Sequence, residues 1–253
     1  MYQFFEDNGY LILKGVINPE RAAAHAEHLH VLREQFDDMP ADEINSHLLQ
    51  EDKEWYDIIS DPALVDIAQH FLGENIAHFY SRYFAKKPRS GREVPWHQDG
   101  AYYTLNPIKL CTLWLSLTNS TPENGGLRVL PGSHKFQLHD IKPTDDESSI
   151  LKRLMSTENI DFSGAVDLVT EPGDVVLIHP HILHSSSVNS SHDWRIGLAV
   201  RYIPTSVRIT WEELYGEPWD CAYLLRGKGD NADINRYMPV PGSQTIEAHQ
   251  DAG

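Results

Sequence analysis

The sequence predicts a mainly β protein with helices packed outside it, and three observations carry that prediction. From about residue 78 the chain breaks into many short apolar or alternating runs. Turns rich in Gly and Pro separate those runs. Before them, the first 75 residues read as mostly helical. Short strands behind a helical lead argue for a β-sandwich or barrel braced from outside.

The elements follow in order. Gly9-Tyr10-Leu11-Ile12-Leu13 is a short β-type run closed by Gly15. Pro19-Glu20-Arg21 opens a helix through Ala22, Ala26, Leu29 and Leu32. Asn18 is placed to cap it, and Pro19 sits in the first turn, where no intrahelical bond is lost. Two more helical stretches are expected near residues 41–50 and 62–72, the second stopped by Gly73. Strands are expected at 78–85, 110–117, 127–130, 166–169, 175–178 and 196–203. Lys87-Pro88, Asn106-Pro107, Asn124-Gly125-Gly126, Pro131-Gly132 and Pro172-Gly173-Asp174 punctuate them. Residues 139–162 form a polar insert, read as partly helical around 150–155. Trp211, Tyr215, Trp219 and Tyr223 recur every four residues, suiting helical turns that Gly216 and Pro218 would interrupt. Gln244–Gly253 reads as a frayed end.

Length and composition set outer bounds. The 253 residues suit one domain: 1–75 as helical support, 76–205 as the β core with its insert, and 206–253 as a C-terminal extension. Cys111 and Cys221 form no CxxC pair and no disulfide framework, so a reducing cytoplasm is the simpler setting. No basic-then-apolar leader opens the chain, and no apolar run approaches the ~18 residues of a membrane span. The formal charge of −16 argues against a nucleic-acid surface, which needs clustered Lys and Arg, and against anionic lipid. The expected partner is a small molecule, with the chain a monomer or homodimer.

Chemistry concentrates in Val94-Pro95-Trp96-His97-Gln98-Asp99-Gly100. On extended backbone, residues two apart face the same way, so His97 and Asp99 project together. An imidazole and a carboxylate are two of the three ligands in the facial triad of non-haem iron(II) sites. Taken alone an HxD tripeptide says little. A second histidine must come from Gly173–Ser186, where His179, His181 and His184 follow a buried-strand pattern and spacing alone leaves all three open. Arg195 opens the apolar run Ile196–Val200, where an arginine is costly without a carboxylate partner.

These motifs together resemble the phytanoyl-CoA dioxygenase superfamily. The likeness rests on Trp96-His97-Gln98-Asp99, Leu113-Trp114-Leu115, Asn124-Gly125-Gly126-Leu127, Leu130-Pro131-Gly132-Ser133-His134, and Gly173-Asp174 through His184 to Arg195. Phe4–Leu11 also looks like the family's opening. The resemblance implies a double-stranded β-helix (jelly-roll, cupin-like) core with N-terminal helices. It implies an Fe(II)- and 2-oxoglutarate-dependent dioxygenase that consumes O2 and releases succinate and CO2. In that family the distal histidine lies eleven positions before the 2-oxoglutarate arginine, which selects His184 to join His97 and Asp99 as metal ligands. It also implies Arg195 as the cosubstrate arginine, with Ser186 and Trp114 beside it. Asp99 fills the position where halogenating relatives carry a small residue, so hydroxylation or oxidative dealkylation is expected.

Tyr102 and Tyr103 follow the HxD strand and would stand at the pocket mouth. Arg201 shares a strand face with Arg195 by parity, and Arg82 lies on the aromatic strand before the triad; both invite an anionic substrate group or an internal salt bridge. No basic patch for the phosphates of CoA is evident. The expected substrate is a small polar metabolite such as an amino acid, an aminophosphonate or a natural-product intermediate. Rival readings are a catalytically silent cupin-type metal sensor and a metal-dependent cupin enzyme without 2-oxoglutarate.

Overall fold

The computed structural model describes residues 1–37, 39–229 and 235–243. Gln244–Gly253, expected to fray, lies outside the described residues. In chain order the elements are α1 (Tyr2–Asn8), β1 (Tyr10–Leu13), α2 (Pro19–Gln35), α3 (Lys53–Ile59), α4 (Pro62–Leu72), β2 (Ile76–Lys86), β3 (Val94–His97), β4 (Leu105–Asn106), β5 (Cys111–Ser116), β6 (Arg128–Val129), β7 (Ile141–Pro143), β8 (Arg153–Met155), β9 (Val166–Asp167), β10 (Val175–Ile178), β11 (His184–Ser186), β12 (Arg195–Pro204), β13 (Arg208–Ile209), α5 (Trp211–Tyr215) and β14 (Tyr223–Arg226). The predicted class holds: mostly sheet, few helices, and no closed barrel.

Two antiparallel sheets dominate. The larger runs β1-β10-β5-β12-β2-β14 and the smaller β3-β11-β6-β9. Alternation along β12 and β5 explains how the larger sheet is used. Ile196, Leu198 and Val200 join Leu113 and Leu115 in a core cluster with Leu29, Leu32, Trp55, Ile58 and Leu64 of the helices. The other parity carries Arg195, Gly197, Ala199 and Arg201, opposite Thr112 and Trp114. One face of the sheet is therefore sealed by helices and the other is left for chemistry.

The helix ends obey the capping signals. Asn18 Oδ1 accepts from the Glu20 and Arg21 amides at 2.8 and 3.3 Å, and Asp61 caps Ala63. Such caps contribute about 1 kcal/mol each. Two helices escaped the sequence reading, α1 and α3. Asp52 caps α3 through the Trp55 amide, and Trp55 is fully buried with its Nε1 donating to Ser81 Oγ at 3.1 Å.

Three expectations are corrected. Residues 41–50 form turns, because their backbone pairs with the edge of β2 beyond β14: Ser46 N donates to Ser81 O, and Tyr83 N to Ile44 O. Residues 150–155 are not helical; Arg153–Met155 is β8, laddered to β7 and anchored by Met155 in a cluster with Leu130 and Leu183. The aromatic C-terminal stretch is helical only over Trp211–Tyr215, stopped by Gly216 at φ 74°. β1, from the N-terminal segment, and β14, from the C-terminal one, form the two edges of the larger sheet. Cys111 and Cys221 are buried free thiols. Among the described residues no helix is long and apolar enough to cross a membrane.

Candidate active site

Strand pairing brings the site together. His97 ends β3 and His184 begins β11, and the two are direct cross-strand partners. Their rings lie 4.0 Å apart. Asp99 sits just past β3, in a short 3-10 turn; Gln98 between them keeps extended angles (φ −120°, ψ 121°), so His97 and Asp99 still share a side. One donor atom from each of His97, Asp99 and His184 falls within 4.8 Å of the others, and all three residues are buried. His179 and His181 are not part of this group.

Each imidazole is oriented by the same local hook. His97 Nδ1 lies 2.9 Å from Pro95 O, and His184 Nδ1 lies 3.0 Å from Ile182 O. A carbonyl can only accept, so Nδ1 carries the proton and the Nε2 lone pair is left free. Both Nε2 atoms face Asp99 Oδ1, at 3.7 and 3.9 Å. Burial first, then His97, lowers the His184 pKa to about 3, which keeps its ring neutral.

Asp99 is held from behind. Its Oδ2 accepts from Thr112 Oγ1 at 3.3 Å and from Arg201 Nη2 at 3.4 Å. Arg201 and Thr112 are themselves partners across β12 and β5, so one rung of the sheet presents both donors. Burial alone would push the Asp99 carboxyl up; Arg201, with His97 and His184, outweighs it and holds the group well below the usual carboxylate range.

Behind the cluster lies a cavity of about 420 Å³ lined by both sheets. At its far end Arg195 is 1% exposed. Its Nη1 donates to Phe84 O at 3.0 Å, its Nη2 reaches Ser186 Oγ at 3.4 Å, and its Nε is buried without a partner. Burial lowers its pKa to about 10. Trp114 lies beneath the guanidinium at 5.7 Å. Gly197 makes room for that indole, since a Cβ there would come within 2.2 Å of Trp114 Cζ2. Lys86, paired with Arg195 across β2 and β12, donates through Nζ to the carbonyls of Ser186 (2.9 Å) and Ser187. Burial, with Arg195 beside it, lowers its pKa to about 6.

The remaining expected residues divide. Tyr102 packs edge-on against His97 (5.9 Å) and donates to Arg153 O at 2.6 Å. Tyr103 lies under the Arg201 guanidinium at 5.2 Å. Arg82 stands apart, its Nε donating to Asp42 O at 2.5 Å outside the cavity lining. Thr112 and Lys86 were not singled out from the sequence. A lone threonine within an apolar strand was the available signal for the first.

Residues 5–197 match the family described as phytanoyl-CoA dioxygenase (PhyH). The chain belongs to the phytanoyl-CoA dioxygenase family. Among its relatives, the peroxisomal phytanoyl-CoA dioxygenase of Mus musculus is 29% identical over 79% of this chain and 66% of that protein. A probable alpha-ketoglutarate-dependent hypophosphite dioxygenase of Stutzerimonas stutzeri is 34% identical over 75% of this chain and 61% of its own length. The match thus spans slightly under two thirds of these curated family members. The apo structure of the non-haem monooxygenase ThoJ shares the fold with a TM-score of 0.78 at 20% identity, covering 95% of this chain and 88% of that one.

Proposed function

We propose that the protein is an Fe(II)- and 2-oxoglutarate-dependent oxygenase that hydroxylates, or oxidatively dealkylates, a small polar metabolite. The observation that carries this reading is the pairing of a buried two-histidine, one-carboxylate donor set with a buried arginine that has no carboxylate within ion-pair reach among the described residues. The donor set fits iron(II), which such a facial triad holds with positions left open. The orphaned Arg195 Nε fits a carboxylate, and the far end of 2-oxoglutarate supplies one. When bound, iron(II) with 2-oxoglutarate and dioxygen provides the oxidising power to functionalise a C–H bond, with succinate and CO2 as coproducts.

The chain's own residues have distinct tasks. His97, Asp99 and His184 would hold the metal. Thr112 and Arg201 restrain Asp99 Oδ2, so that Oδ1 alone is offered toward the histidines. Arg195 and Ser186 receive the distal carboxylate of the cosubstrate, and Trp114 forms the wall beside it. Lys86 ties down the backbone that carries Ser186. Enclosure by both sheets excludes bulk water and strengthens each of these polar contacts.

The test is anaerobic addition of iron(II) and 2-oxoglutarate, which is expected to give a weak visible charge-transfer band. Iron bound without that band overturns the cosubstrate assignment. A panel of small amines, amino acids and phosphonates, scored by succinate above the uncoupled background, then identifies the substrate class. A silent sensor would form no succinate at all.

A further inference from the structure

Past Tyr102 and Tyr103 the buried donor cluster gives way to an open cleft of about 1210 Å³. Its character is opposite to that of the inner cavity. Tyr80, Trp211 and Trp219 supply aromatic surface, Glu217 and Asp220 supply carboxylates, and among the described residues no lysine or arginine lines it. Trp219 is fixed: Phe79 stacks on it at 4.8 Å, and its Nε1 donates to Phe79 O at 3.0 Å. Trp211 and Tyr80 approach the same indole at 5.1 and 5.8 Å. Asp220 is tethered by His47 at 3.1 Å, whose own ring meets Trp219 edge-on at 4.8 Å. Aromatic faces beside carboxylates attract cations, most of all ammonium groups.

The inner side has the complementary need. Arg201 is 4% exposed, and its Nε and Nη1 are buried without partners; its Nη2 alone reaches Asp99. Tyr80 and Tyr103 lie against its guanidinium at 5.7 and 5.2 Å and also line the outer cleft, so the same two rings separate the two regions. With iron(II) balanced by the two carboxylates of 2-oxoglutarate, Arg195 and Arg201 exceed Asp99 by one positive charge. Lys86 adds no negative one. A substrate with an anionic end toward Arg201 would restore neutrality in a buried space where a net charge is costly.

We propose that the substrate is a small zwitterion, its anionic group held by Arg201 and its ammonium group seated among Tyr80, Trp211 and Trp219 beside Asp220 and Glu217. This rests on the oxygenase reading above and narrows its substrate class. The cleft accepts the positive end and the cavity the negative end, which fixes the direction in which the substrate enters.

Calorimetric titration of the protein loaded anaerobically with iron(II) and 2-oxoglutarate tests it. The probes are ω-amino and ω-trimethylammonio carboxylates and phosphonates spanning two to six methylenes. Each is paired with an isostere in which carbon replaces nitrogen, and with the amide that removes the anion. For the best-fitting length, loss of either charge is expected to weaken binding about tenfold or more. The exposed substitutions Asp220→Asn and Glu217→Gln together are expected to shrink the ammonium advantage several-fold and leave the isostere's affinity alone. The proposal is overturned if no probe binds, if isosteres match their ammonium parents throughout, or if the double variant leaves the advantage intact. The charge-transfer band reports loading separately, so failure of the oxygenase reading and failure of the zwitterion assignment give different results.

Discussion

Two histidine clusters meet near the turn between β10 and β11, one drawing on the strand that follows it and the other on the turn itself. His97 and His184 form one; His134, His179 and His181 form the other, with ring separations of 5.1 and 5.3 Å. In the first, both Nδ1 atoms donate to the carbonyl two residues earlier, and both free nitrogens converge on a carboxylate. In the second, His179 Nδ1 accepts from the His181 amide, His134 Nε2 donates to Glu6 O, and His181 Nε2 has no partner. Among the described residues no carboxylate joins that group. Burial, then His134 and His181, lowers the His179 pKa to about 4, so that ring stays neutral and packs as aromatic surface. What separates a donor set from a packed cluster is free ring nitrogens converging on an anchored anion, not the number of histidines.

The contrast breaks most directly at His184. His184→Ala is expected to reduce iron(II) affinity by more than the ~10–100-fold typical of residues that only orient a ligand. His181→Ala should leave it nearly unchanged by equilibrium dialysis. The reverse outcome would exchange the roles of the two clusters. Next in size, Arg195→Ala should weaken 2-oxoglutarate binding by about 1.5–3 kcal/mol, read as the midpoint of the charge-transfer band, with iron affinity retained. Gly197→Ala would drive a methyl into Trp114, lowering stability by about 1–3 kcal/mol in urea unfolding. Thr112→Val removes one of the two anchors of Asp99 and should cost iron affinity about tenfold.

The smallest expected effect concerns a histidine outside both clusters. His28 has a carboxylate, Asp52 at 2.9 Å, but no converging second imidazole. Burial lowers its pKa, but the bond and charge of Asp52 outweigh that and leave it raised. Its contribution is therefore complete below its ordinary value and lost as pH rises through the raised one. His28→Gln should flatten that decline in stability from slightly acid to mildly alkaline pH, by under about 1 kcal/mol. Urea midpoints measured across the interval check it.

Much of this was legible in the sequence because it depends on local periodicity. Period-two spacing put His97 with Asp99 and Arg195 with Arg201, and both pairs do share a side. Strand parity could not choose His184, because the turn at 179–183 destroys it; the family's eleven-residue spacing to Arg195 pointed to it, and the cross-strand register sets its ring beside His97. Thr112 acquires its meaning from a partner 89 residues away on β12. Residues 41–50 misled for the same reason: apolar spacing at Ala41, Ile44 and Leu48 imitates a helix, but the unpaired edge of β2 captures the backbone first. Tertiary pairing of this kind leaves no local signature.

The two edges of the larger sheet come from opposite ends of the described chain, β1 near residue 10 and β14 near residue 225. The sheet is therefore finished late during synthesis, and a ribosome must release nearly all of these residues before both rims are covered. The boundary of the family match at residue 197 falls inside β12. A chain trimmed to that boundary would keep His97, Asp99, His184 and Arg195, yet it would lose Arg201, most of the central strand and the strand that forms one rim. Such a fragment would contain every family motif and still expose raw β edges on β5 and on both sides of β2, the usual starting point of aggregation.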